Sequence, residues 1–248
     1  MLKKILLLCI ESVFFIALSI PNATAKAHYN VGIANGFPPF QFKNINKEVT
    51  GFDAAVINLL FQKIDEKFIF QQMKWQDVIG SLMFTDKLDC VTGMEITNSR
   101  KKYFDFTSAY SFRRNVLFVS AENNNIKQLK DLLGKTIGGD KGSNLETQLE
   151  KMHIKNKIRI KQTKSKEESM QLLKAGKLSA IIAPQEVGLY LAKKMQFSVK
   201  IIAQAEQQNP VAIAVKKGHS QLLNLLEKNL QILIKNGDIA RLQQTWKQ

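Results

Sequence analysis

Between Thr92 and Tyr110 the chain runs TGMEITNSRKKYFDFTSAY, which brings Glu95, Thr97 and Arg100 together just behind the apolar segment LDCV. An arginine offers a planar fork of donors that grips a carboxylate with two parallel hydrogen bonds, and a glutamate accepts from an ammonium or a guanidinium. The end of a buried strand is a natural place for such a cluster, because ligands of open α/β sheets bind outside the carboxyl ends of the strands. Taken alone, Arg100 reads more simply as a surface salt bridge or a helix-face charge. The surrounding elements have to decide.

The rest of the sequence offers little for catalysis. His28, His153 and His219 lie far apart, no nucleophile is paired with a recognisable base, and no cluster has metal-ligand spacing. Glu95 is the one strong candidate for acid or base work. No cofactor is implied.

Strand-like and helix-like segments alternate, which predicts an α/β architecture with mostly parallel sheets. YNVGIA (29–34), FIFQQ (68–72) and LDCVTG (88–93) read as strands, and residues 76–84 as a helix. Asp53 is expected to cap a helix whose apolar residues Val56, Ile57, Leu60, Phe61 and Ile64 recur at helical spacing. Thr97 is expected to cap the short helix that carries Arg100. A second series follows: strands at 115–121, 135–139, 159–163, 178–183 and 199–205, with helices at 125–133, 143–152 and 185–194. Ser165 with Glu168 forms a capping box for a helix that stops at Gly176. The chain then returns to a strand at 210–217, a long amphipathic helix at 220–235 and a last helix carrying Trp246. Crossings near 112–115 and 209–210 look like hinges between two lobes.

The first residues have the three parts of a secretory signal: Lys3 and Lys4, an apolar stretch from Ile5 to Ile20, and the small triplet Ala23-Thr24-Ala25. The stretch is shorter than the roughly 18 residues a spanning helix needs, and Glu11 interrupts it. Cys9 precedes most of that stretch, which argues against a lipid anchor. Cleavage after Ala25 would leave 223 of the 248 residues, with Cys90 as the remaining cysteine. Burial rather than an internal disulfide must then hold the fold, with Cys90 as a small core residue. Loss of Lys3, Lys4 and Glu11 would leave 34 basic and 20 acidic residues, a net +14. The lysines are spread along the chain, so they read as solvated faces rather than a nucleic-acid site.

In order and spacing, NGFPPFQF with VTGFDAAVINLL, KWQDVIGSL, TGMEITNSRKKYFDFTSAY, LLGKTIGGDKGSN and NGDIARLQQTW resemble the polar amino acid-binding proteins of ABC importers. These are the extracellular solute-binding proteins of family 3, and the chain resembles their arginine/lysine/histidine- and glutamine-binding members. The resemblance spans Tyr29 to Trp246. It implies the type II periplasmic-binding fold, two lobes joined by two hinge crossings: residues 26–113 with 211–248, and residues 114–210. It also implies a periplasmic monomer that captures an amino acid with a basic or planar polar side chain and delivers it to a membrane permease.

The resemblance also assigns roles. Arg100 matches the carboxylate-binding arginine, and Thr92 and Gly93 match positions that offer hydroxyl and backbone groups. Glu95 either receives the ligand's ammonium or faces solvent. Phe37 and Trp75 match the aromatic pair that sandwiches the ligand, which suits a flat or cationic group, whereas Phe40 is read as core. In GGDKGSN, Gly142, Ser143 and Asn144 precede a helix, where free amides and the dipole can meet a carboxylate. No Gly-Lys-Ser/Thr ending makes it a P-loop.

Two departures stand out. Ala34 and Pro184 occupy positions where the family usually carries acids. An exported lyase resembling cyclohexadienyl dehydratase, or a ligand-sensing or surface-interaction module, are the alternative functions. The signal reading predicts a mature N-terminus at Lys26, to be checked by mass spectrometry of the exported protein; membrane-retained protein with its first 25 residues intact would overturn it.

Overall fold

The computed structural model describes residues 28–139, 149–205 and 207–246. The expected signal segment and most of the helix expected at 143–152 lie outside the described residues. Two sheets carry the fold. In the first, strands Phe68–Met73, Tyr29–Ala34 and Cys90–Glu95 run parallel, and Asn209–Lys216 then pairs antiparallel with Cys90–Glu95. Short strands Phe104–Phe106 and Ser111–Arg113 complete its edge. In the second, Arg159–Lys161, Thr136–Gly138 and Ala180–Pro184 run parallel, followed by antiparallel Asn115–Ser120 and Val199–Gln204.

Each sheet is mostly parallel in strand direction with one strand reversed, for a geometric reason. The parallel strands end at the crevice, as Cys90–Glu95 does at Glu95 and Ala180–Pro184 does at Pro184. A strand arriving from the other lobe starts at that same edge and must run the opposite way, so Asn115 opens opposite Pro184. Val211, two residues into its strand, lies opposite Glu95.

The first sheet is covered on both faces, which is why its central strands are buried along most of their length. Helix Phe52–Ile64 turns Phe52, Val56, Ile57, Leu60 and Phe61 inward, where they meet Leu226, Leu230 and Leu233 of helix Ser220–Lys235. Helix Trp75–Phe84 covers the opposite face through Val78 and Leu82. Cys90 is a fully buried core residue.

Local chemistry corrects three expectations. Asp53 does not cap its helix; Gly51 stands at the N-cap with φ 114°, and Asp53 turns into the interior. The helix expected at 125–133 shrinks to a 3₁₀ turn at Leu129–Leu132. There, Asn123 Oδ1 accepts from the amides of Asn125 and Ile126, and the Asp131 carboxylate accepts from those of Lys127 and Gln128. Side chains thus offer the backbone an alternative to helix bonds. At the helix Lys166–Lys174, Ser165 Oγ accepts from Glu168 N at 3.1 Å. The return bond goes one residue further back, from Lys164 N to Glu168 at 2.6 Å.

The loop that follows Phe104–Phe106 is tied to the long helix through Glu227, whose carboxylate accepts from Ser108 N at 2.7 Å and Ser108 Oγ at 2.6 Å. Gln231 Nε2 adds a third bond at 3.0 Å. Burial opposes the ionised form, but these donors outweigh it and hold the carboxyl below the ordinary glutamate range. A carboxyl whose folded-state value is depressed stabilises the fold above its unfolded value, and that stability is lost as pH falls through the folded value. Glu227→Gln should therefore melt lower than wild type near neutral pH and lose less between about pH 5 and pH 3. Thermal melts across that range test this; parallel pH profiles would reject it.

Candidate functional site

Arg113 and Asp53 lie at the join of the two lobes, with 1% and 0% of their surface exposed. Arg113 Nη2 donates to both Asp53 oxygens, at 2.6 and 2.7 Å, and Nη1 donates to Gly93 O at 3.1 Å. Asp53 also accepts from Tyr110 OH at 2.9 Å and Gln41 Nε2 at 2.5 Å. Gln41 Oε1 takes the Ala34 amide at 2.6 Å. The guanidinium carbon sits 3.9 Å from the Phe40 ring centroid and 5.4 Å from that of Phe37. Burial works against the charged guanidinium, but the Asp53 carboxylate more than offsets it and holds Arg113 protonated. Burial, reinforced by the Asp53 charge, pushes the Tyr110 hydroxyl well above its ordinary range.

This network floors a cleft of about 770 Å³, its open mouth included, between the two sheets. Of the residues expected at a site, Phe37, Trp75, Gly93, Glu95 and Arg100 all line it. Arg100 Nη1 donates to Glu95 O at 2.9 Å, and its guanidinium lies 5.4 Å from the Trp75 ring centroid. Strand end and aromatic wall thus fix the arginine together. Thr97 Oγ1 accepts from Arg100 N at 3.3 Å, bracing the 3₁₀ turn Arg100–Lys102 from outside the cleft wall. Thr92 is fully buried behind that wall, its hydroxyl 3.1 Å from Tyr110 OH. Phe40 is core. Ser143 and Asn144 lie outside the described residues. Ala34 and Pro184 stand on the cleft wall where acids were expected.

Glu95 does not face solvent freely. Its carboxylate accepts from Asn209 Nδ2 at 2.7 Å and from Asn115 Nδ2 at 3.3 Å to each oxygen. Asn115, Asn209 and Arg113 were not among the expected residues. The Arg113-Arg114 pair inside a strand-like stretch was the one available signal, since charges in a buried strand need partners. Lys166 is a further cleft residue without a sequence signal. It is buried at the start of its helix and donates to Ile182 O at 3.0 Å.

Two sheets that meet at a shared crevice have the architecture of type II periplasmic binding proteins. The chain belongs to the bacterial extracellular solute-binding proteins, family 3, which it matches over residues 29–248. A probable amino-acid-binding protein of Bacillus subtilis, YxeM, is 29% identical over 231 residues, 91% of this chain and 87% of that one. The L-cystine-binding protein TcyJ of Escherichia coli is 25% identical over 218 residues, 87% and 81% of the two chains. Among solved structures, an ancestral arginine-binding protein bound to glutamine has a TM-score of 0.82 at 32% identity, covering 90% of this chain and 99% of that one.

Because Arg113 and Asp53 are both shut away from water, removing one strands the other. Arg113→Met should lower stability by about 3–5 kcal/mol, a fall in melting temperature of roughly 6–20 °C for a chain of this size. The double variant Asp53→Asn, Arg113→Met leaves no orphaned charge and should recover part of the loss. Calorimetric melts check both, and a single variant within about 2 °C of wild type would contradict the role.

Proposed function

We propose that this protein is a periplasmic, monomeric binding protein that captures an amino acid in the cleft and delivers it to the membrane permease of an ABC importer. The observation that carries the reading is Glu95 at a strand end and Arg100 on the 3₁₀ turn that follows it facing one cleft, tied together through the Arg100 bond to Glu95 O. A zwitterion offers a carboxylate to the first and an ammonium to the second. The lobes proposed to close on it are residues 26–113 with 211–248, and residues 114–210. Gly93 would add backbone groups from below, and Ser143 and Asn144 amides from the second lobe.

The proposed side chain is basic or planar and polar, arginine-like. Two half-buried aromatic residues, Phe37 and Trp75, line the cleft, and aromatic faces favour flat or cationic groups. The similarity to ancestral arginine-binding proteins bound to arginine and to glutamine supports the same class. Closure by hinge motion would bury the ligand between the lobes.

Arg100→Ala should weaken binding by about 2–5 kcal/mol, roughly one and a half to nearly four decades in affinity, in a protein that still folds. A thermal-shift screen of the common amino acids with ornithine, citrulline and non-amino carboxylates identifies the ligand. A ligand at about 100 times its Kd adds about 2.7 kcal/mol, raising the melting point by roughly 5–10 °C. Unchanged affinity in a folded Arg100→Ala protein, or shifts from carboxylates without an α-ammonium group alone, would overturn the reading.

A further inference from the structure

The chain passes between its sheets twice, and each passage delivers an asparagine to the same carboxylate. Asn115 is the first residue of the strand entered after Arg113 and Arg114, and Asn209 is the first residue of the strand entered on the way back. Both are buried, with 5% and 1% of their surface exposed. Both turn their Nδ2 donors onto Glu95, at 3.3 Å to each oxygen from Asn115 and 2.7 Å from Asn209. The crossings are also joined to each other and to the strand end: Ala205 N donates to Asn115 O at 2.8 Å, and Ile96 N donates to Pro210 O at 2.8 Å.

We infer that Asn115 and Asn209 are positioning residues, which hold the Glu95 carboxylate in the orientation that accepts a ligand ammonium and pass its occupancy to both hinge crossings. The inference rests on the reading that Glu95 receives that ammonium. A carboxylate has about four acceptor sites, so two amides leave room for a ligand donor on the cleft side while fixing the plane of the group. Buried amide donors are costly to leave without an acceptor, so the asparagines must follow Glu95 or break their bonds when the lobes move. An ammonium is bound best on Glu95 when the two amides hold the carboxylate plane toward the cleft. A rotation that kept Asn115 and Asn209 on Glu95 is thereby favoured in the liganded state, so ligand charge and hinge angle are coupled.

A pair of ligands differing only in the ammonium separates positioning from general damage. L-Arginine with 5-guanidinopentanoate, and L-glutamine with 4-carbamoylbutanoate, are titrated calorimetrically into wild type, Asn115→Ala, Asn209→Ala and Glu95→Gln. The preference of wild type for the amino acid over its desamino partner should shrink roughly tenfold or more in Asn209→Ala. A smaller loss is expected in Asn115→Ala, and the desamino ligands should bind all variants alike. Adding Asn209→Ala to Glu95→Gln should change the preference no further. Small-angle scattering should show less compaction on arginine binding in the asparagine variants than in wild type.

An unchanged preference, or equal losses for both members of a pair, would overturn the inference. Should Asn209→Ala fail to fold, Asn115→Ala with its own two bonds carries the test. The parent reading fails separately, in wild type alone, if neither amino acid binds or if neither is preferred over its desamino partner.

Discussion

A carboxylate and a guanidinium, both withdrawn from water, fix the region where the two lobes meet. Taking either charge from solvent unpaired would cost several kcal/mol, so the sequence around them is constrained to satisfy every remaining donor and acceptor it can. Tyr110 and Gln41 complete Asp53, Gly93 O takes a donor of Arg113, and the Phe40 ring covers the face of the guanidinium. The constraint spreads outward from there. Gln41 carries it to the Ala34 amide at the end of the first strand, and Gly93 carries it to the cleft floor. Gly93 itself has φ 72°, and a side chain there would strike the Gln41 amide and the Asp53 carboxylate. The glycine in TGM is therefore required by the ion pair beneath it as well as by its own backbone.

Strand direction explains why the candidate site lies in the same place. Parallel strands end at the crevice, and the two strands that return through it begin there, so strand ends, strand starts and both crossings share one small region. Polar groups at such ends are released from the sheet's own hydrogen bonding and are free to face a ligand. Glu95, Asn115 and Asn209 come from these ends, and Arg100 from the 3₁₀ turn that follows one of them. The proposed ligand would touch both crossings of the chain between the sheets.

Much of this was legible in the sequence. Helices at 185–194 and 220–235 and the strand at 29–34 appear where periodicity put them, because each buries a continuous apolar face. Phe37, Trp75, Gly93, Glu95 and Arg100 were reachable through motif order. Asp53 was misread because an acid before an apolar-periodic run has the form of a cap, and nothing local shows that its partner lies 60 residues away. Arg113 was missed for the same reason: the stretch near 112–115 reads as a hinge crossing, and nothing local shows that Asp53 is its partner. The segment 125–133 had helical composition, but Asn123 and Asp131 supply local bonds that composition does not weigh. Pairings across the fold, and competition between side chain and helix, are what a linear pattern does not carry.

The same distinction governs how charge should be weighed. The chain has a formal net charge of +15, and among the described residues lining the cleft Arg100, Arg113, Lys164 and Lys166 stand against Glu95. Counted this way, the cleft would repel a cation. Position changes the sum. Asp53 lies 2.6 Å from Arg113 and cancels most of its field, Lys166 directs a donor to Ile182 O on the second-lobe wall, and Lys164 is exposed to screening solvent. Charges beyond about 8 Å are largely screened at physiological salt, whereas near ones in a partly desolvated cleft are not. A zwitterion of the proposed kind would therefore meet Arg100 at one end and Glu95 with its two amides at the other, and these near groups would outweigh the distant lysines in setting which way it lies.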